Sequence, residues 1–210
     1  NIRIRYFADQ KATGYASGLD LRINGEFVKG IESWASISFM KSAENIKYYL
    51  SPTGTILSQT DVNNGAVSVC DTLIKGIPRP SDQKVNISLF FQDYIPFIPS
   101  FKVNLKLVFG TGMPFGQPYS ERYKHIMRMA PYRRVDIGFS KQLISNKSSF
   151  KKGNPLSHVR NCWVSLEIFN LLGIHNVSSY MWVTDIYNIQ YAVPNYLTPR
   201  QINLKLVAEF

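Results

Sequence analysis

Residues able to do chemistry are plentiful in this chain, but few stand at the spacings that chemistry uses. His125, His158 and His175 lie far apart, with no second His or Cys at ligand spacing, so a zinc site has little to build on. Cys70 and Cys162 match neither a metal pattern nor a disulfide framework, and Cys162 falls on an apolar row, where a thiol behaves as a small hydrophobe. Asp61-Val-Asn-Asn-Gly65 begins like a calcium loop but lacks the full spacing and the closing Glu; it reads as an Asn-Gly turn. Gly110-Thr-Gly112 lacks the strand-to-helix context of a phosphate loop. Asn86-Ile-Ser88 and Asn176-Val-Ser178 match the glycosylation triplet, a pattern that chance supplies often. No nucleophile elbow or carboxylate pair singles out a catalytic set. The expectation is therefore a non-enzyme without metal or cofactor.

Two groupings carry more. Tyr180, Trp182, Tyr187 and Tyr191, with Tyr196 nearby, crowd the stretch 173–199. Such rings stack on a sugar, haem or siderophore, and they also pack at interfaces with no ligand involved. These four are the candidate ligand contacts. The second grouping is a set of charges at alternate positions: Asp20, Arg22, Glu26, Lys102, Lys106, Arg134, Asp136, Glu167 and Lys205, with Arg3, Arg5 and Lys84 in the same pattern. A wall of that kind focuses potential on an anionic ligand or holds a polar partner, or it pairs its charges across strands.

The elements that must carry these residues are strands. Tyr15, Leu19, Leu21, Ile23 and Phe27 alternate with Asp20, Arg22, Asn24 and Glu26. The same period of two runs through Val85–Phe91, Phe101–Phe109, Val135–Phe139, Val164–Ile168 and Ile202–Phe210. Adding 2–7 and 31–40 gives about eight strands in one antiparallel all-β architecture. Several strands keep the alternation well beyond the ~5–6 residues usual in soluble sheets. Tyr15 and Phe27 stand roughly 28 Å apart in height on a strand tilted ~45°, the separation of aromatic girdles on a membrane barrel. Connections are short at 28–30 and 95–100 and long at 41–83, 114–131 and 173–199, which fits inner turns and outer loops. The short 8–13 and the long, basic 145–160, with Lys147, Lys151 and Lys152, fit that scheme less well.

Composition sets the limits. The chain has 210 residues, is 45% hydrophobic and only 18% charged, and carries a net charge of +10, so it has apolar surface to bury and is not a disordered segment. No run approaches the ~18–20 apolar residues of a membrane helix. The opening Asn-Ile-Arg-Ile-Arg has no leader pattern and reads as the start of a piece cut from a longer protein. A basic barrel gripping nucleic acid would use the net charge, but these charges alternate and do not form one stripe, so no nucleic-acid partner is expected.

Several motifs, in this order, resemble the C-terminal part of the barrel of TonB-dependent outer-membrane receptors. They are GYASGLDLRINGEFV at 14–28, ESWAS at 32–36, PRPSDQ at 78–83, FFQDYIP at 90–96, GTGMPFG at 110–116, YRRVDIG at 132–138, IFNLL at 168–172 and PRQINLKLVAEF at 199–210. The resemblance implies that residues 1–210 are about eight strands of a transmembrane β-barrel, a 22-stranded one, whose N-terminal plug and earlier strands lie outside this sequence. It implies energy-coupled uptake of a bulky nutrient (siderophore, haem, cobalamin, glycan or peptide) through the outer membrane of a Gram-negative bacterium. The partners it implies are outer-membrane lipid, the protein's own plug and remaining strands, the TonB complex reached through that plug, the barrel-assembly machinery and a surface lipoprotein. Terminal Phe210 looks like the barrel-assembly signal. The competing expectation is a soluble β-sandwich that binds carbohydrate with the aromatic cluster.

Overall fold

The computed structural model describes residues 12–28, 31–50, 56–57, 70–95, 98–118, 123–124, 126–145 and 158–209. Their strands are β1 (Ala12–Val28), β2 (Ile31–Leu50), β3 (Ile56–Leu57), β4 (Cys70–Pro78), β5 (Val85–Ile95), β6 (Ile98–Gly110), β7 (Pro114–Phe115), β8 (Met127–Arg128), β9 (Tyr132–Ile144), β10 (Asn161–Phe169), β11 (Val177–Thr184), β12 (Gln190–Tyr196) and β13 (Gln201–Glu209). The main sheet runs β1-β2-β5-β6-β9-β10-β13, with β3 and β4 also paired to β2. Two further sheets, β7–β8 and β11–β12, have two strands each. The architecture is all-β, and the registers from β2 to β13 are antiparallel. Among the described residues no helix is long and apolar enough to cross a membrane, which says nothing about crossing by strands.

Two compact units divide the chain, one from Asn1–Gly18, Met40–Gln83 and Met113–Arg128, the other from Leu19–Phe39, Lys84–Gly112 and Met129–Phe210. The second holds the alternating strands, and its register sorts them cleanly into faces, because paired residues in an antiparallel ladder share a face. One row runs Phe91, Leu105, Ile137, Ile168, Ile202 across five strands. Its neighbours run Ala35, Leu89, Leu107, Val135 and Val103, Phe139, Leu166, Leu204. Exposure on this face is greatest on the outermost strands, Leu21 51% and Ile23 72% on β1 and Ile202 71% and Leu204 72% on β13, while Leu89, Phe91, Leu105 and Ile137 on the central strands are half-buried and Ile31 and Cys162 are buried. Among the described residues the buried side chains include the polar Ser33, Ser42, Asp82, Asp136, Asn170 and Asn176 beside Ile31, Ala43, Ile77 and Cys162.

Among the described residues of this unit, three charges stand at apolar-face positions. Arg133 pairs with Phe109, Lys141 with Phe101 and Asp93 with Val103. Arg133 and Lys141 bracket the apolar stretch of β9, roughly 26 Å apart along an extended strand. Long basic side chains at such borders lay their stems on apolar surface and lift the charge into water.

Both units contain strands that the alternation does not reveal. Positions 41–83, 114–131 and 173–199, read from sequence as connections, all contain paired strands: β2 extends to Leu50 and pairs with β4, β7 pairs with β8, and β11 with β12. A register shift between Glu44 and Ile46 breaks the period of two in β2, and β12 runs through Pro194, which an edge strand tolerates. Asp82 ties the first unit together. It is buried, accepts a 2.7 Å hydrogen bond from the Ser42 N–H, and pairs with Arg128, whose guanidinium also donates to the Asp82 carbonyl at 2.9 Å.

In the second unit the GTGMPFG turn needs its second glycine, because a Cβ at Gly112 would overlap the carbonyl oxygen of Met129. The opening stretch 2–7, with Arg3 and Arg5, lies outside the described residues, as do Asp61–Gly65, His125, Lys147, Lys151, Lys152 and Phe210. The side chain of Phe27 lies outside them too, so the girdle separation from Tyr15 rests on sequence alone.

Candidate functional site

The opposite face of the main sheet gathers the polar side chains. Its rows, read across the strands, are Ser36, Ser88, Val108, Arg134, then Trp34, Phe90, Lys106, Asp136, then Gln92, Asn104, Gly138, Glu167, Asn203, then Tyr94, Lys102, Ser140, Ser165, Lys205. Arg22 lies over the Trp34 ring at 5.2 Å, which puts the even positions of β1, and so Asp20 and Glu26, on this face. All nine alternating charges expected from sequence thus share one side of the sheet. Arg134 Nε donates to both Asp136 oxygens, at 2.7 and 3.0 Å, and Glu167 accepts from Asn203 Nδ2 at 3.1 Å. Lys106 stands opposite Asp136, and Lys205 opposite Ser165.

The IFNLL motif buttresses this wall. Asn170 takes a left-handed conformation (φ 53°), and its N–H donates to Asp136 Oδ1 at 2.8 Å. Its side-chain amide donates to the Ile174 carbonyl at 2.9 Å and accepts from the Ile174 N–H at 3.1 Å. Asn and Asp tolerate this conformation better than other residues with a Cβ. Asn176 makes the equivalent pair with the backbone of Arg133, at 2.8 Å in both directions. That carboxamide is buried and satisfied as a stand-in for a strand neighbour, which accounts for the Asn without a glycan.

Aromatic rings on the polar face are the feature that sequence reasoning missed. Trp34 stacks on Phe90, with centroids 6.3 Å apart, beneath Arg22. Arg134 lies 5.5 Å from the Phe169 ring. Lys102 Nζ stands 5.1 Å from the Tyr94 centroid and 4.7 Å from that of Trp163. A cation over a ring face is drawn to the negative π surface, so these rings hold three of the wall's cations in place. A signal existed: Phe90-Phe91 and Cys162-Trp163 are doublets in which both positions of an alternating strand are nonpolar.

The four candidate ligand contacts do not converge. Tyr180 and Trp182 share one face of the β11–β12 hairpin, opposite Pro194 and Ala192. Tyr191 pairs with Val183 on the other face, and Tyr187 sits in the turn, 78% exposed. Asp185 Oδ1 fixes that turn by accepting from the Tyr187 and Ile189 N–H groups at 2.8 and 2.9 Å. Among the described residues no group of three or more His, Cys, Asp or Glu is placed to hold a metal ion. Comparison with protein-family models, curated proteins and solved structures finds no match.

Proposed function

We propose that this chain is the closing part of the β-barrel of a TonB-dependent receptor in a Gram-negative outer membrane. It takes part in energy-coupled uptake of a bulky nutrient and performs no catalysis of its own. The observation that carries the reading is the register, which lines apolar rows across six strands on one face, more than half exposed at Leu21, Ile23, Ile202 and Leu204, over strands whose other face is charged and hydrogen-bonded. Hydrocarbon is a solvent that suits such a face. The polar face then lines the interior against the plug, and a surface lipoprotein would meet the outer end of the barrel. A soluble carbohydrate-binding sandwich would instead need a second sheet over Leu21, Ile202 and Leu204.

The test is membrane extraction. Expressed with an export signal in a Gram-negative host, the full chain stays in the outer-membrane pellet through high-salt and alkaline carbonate washes and leaves it only with detergent. Release by carbonate, or a monodisperse product without detergent, contradicts the reading.

A further inference from the structure

One row of the polar face carries two ammonium groups and no carboxylate. Tyr94, Lys102, Ser140, Ser165 and Lys205 align across β5, β6, β9, β10 and β13. The adjacent row holds Glu167, bonded to Asn203, and the row beyond holds Asp136, bonded to Arg134 and the Asn170 N–H. Among the described residues neither Lys102 nor Lys205 has an ion-pair partner.

Lys102 is held between the Tyr94 and Trp163 rings. A lysine is ordinarily among the most mobile side chains, and here two rings have ordered it already, so a ligand meets less of that entropic cost. An ammonium has three N–H donors, and two rings cover only two of its sides. The Ser140 and Ser165 hydroxyls lie 2.8 Å apart. One donates to the other, and the acceptor's own hydrogen is left to point elsewhere. A fixed cation, a spare hydroxyl hydrogen and a second cation on the same row are the groups that recognise an oxyanion.

We infer that this row binds an oxyanion, a carboxylate or phosphate group of a solute, with Lys102 as anchor, the serine pair as second donor and Lys205 as flanking charge. The site needs its face wet and does not need hydrocarbon on the other, so it stands or falls separately from the receptor reading. The alternative is that the two rings simply neutralise a structural lysine.

The experiment uses the full chain in detergent micelles at low ionic strength. Trp34→Phe and Trp182→Phe leave Trp163, which packs on Lys102, as the one reporter. Citrate and inorganic phosphate are the probes, with chloride as control. Saturable change in Trp163 emission is expected with at least one probe, and which probe acts identifies the carboxylate or phosphate source. Lys102→Met weakens it about tenfold or more, since charge-assisted hydrogen bonds are the strong ones. Ser140→Ala with Ser165→Ala weakens it several-fold. Lys141→Met, which removes the same charge from the opposite face, leaves it unchanged. A response that never saturates, or equal loss from Lys102→Met and Lys141→Met, overturns the site. Should Lys102→Met fail to fold, the serine variant decides alone: undiminished binding there overturns the proposal.

Discussion

Leu204→Arg is expected to cost about 2–4 kcal/mol in refolding into lipid vesicles, and Asn203→Arg under about 0.5 kcal/mol. The two residues are adjacent on β13 and face opposite sides of the sheet, Leu204 pairing with Leu166 and Asn203 with Glu167. Leu204 is 72% exposed, so in water an arginine there would be nearly neutral, because it removes no packed contact. In hydrocarbon the same guanidinium must be stripped of solvent or pull water with it. At Asn203 the new charge meets the Glu167 carboxylate on the polar face. Urea titrations of the variants in vesicles, compared with wild type, give the two costs. The difference between neighbours is what matters, since strand propensity and edge position are shared.

Asp82→Ala is expected to loosen the unit containing β4 by about 2–4 kcal/mol. Removing one partner of a buried pair strands the other charge, and the partial exposure of Arg128 trims the usual penalty. The same change takes the acceptor from the Ser42 N–H and weakens the anchorage of the turn whose Arg79 N–H donates to the Ser42 carbonyl at 3.1 Å. Hydrogen exchange at the Ser42 and Arg79 amides should accelerate about 30-fold or more, while amides of β9 and β10 hold their rates. Unchanged exchange at Ser42 would mean that Asp82 is not the tie the hydrogen bonds describe.

The strands of the main sheet were legible because their alternation is strict: the register pairs Cys162, Val164, Leu166 and Ile168 with Ala208, Leu206, Leu204 and Ile202, as the odd-even pattern requires. The charged wall was legible for the same reason. What escaped was structure with no period. The continuation of β2 past Met40 is hidden by its register shift, and β12 by Pro194. The short β7–β8 pair is two residues on each side, too few to alternate. The candidate aromatic cluster failed to converge because proximity in sequence says nothing about hairpin faces: residues 182 and 191 straddle a turn whose register puts them on opposite sides. The Lys102 clamp needed the fold, since Tyr94, Lys102 and Trp163 come from three strands of which the third is two positions away in the sheet.

The central claim is that lipid bathes the apolar face and water the polar one. It is tested most directly by attaching an environment-sensitive fluorophore to single cysteines at Leu166, Leu204, Glu167 and Asn203, in a background lacking Cys70 and Cys162, and quenching from spin-labelled lipid tails. Strong quenching at Leu166 and Leu204 with little at Glu167 and Asn203 is the predicted result. Equal quenching at all four, or none, would contradict it.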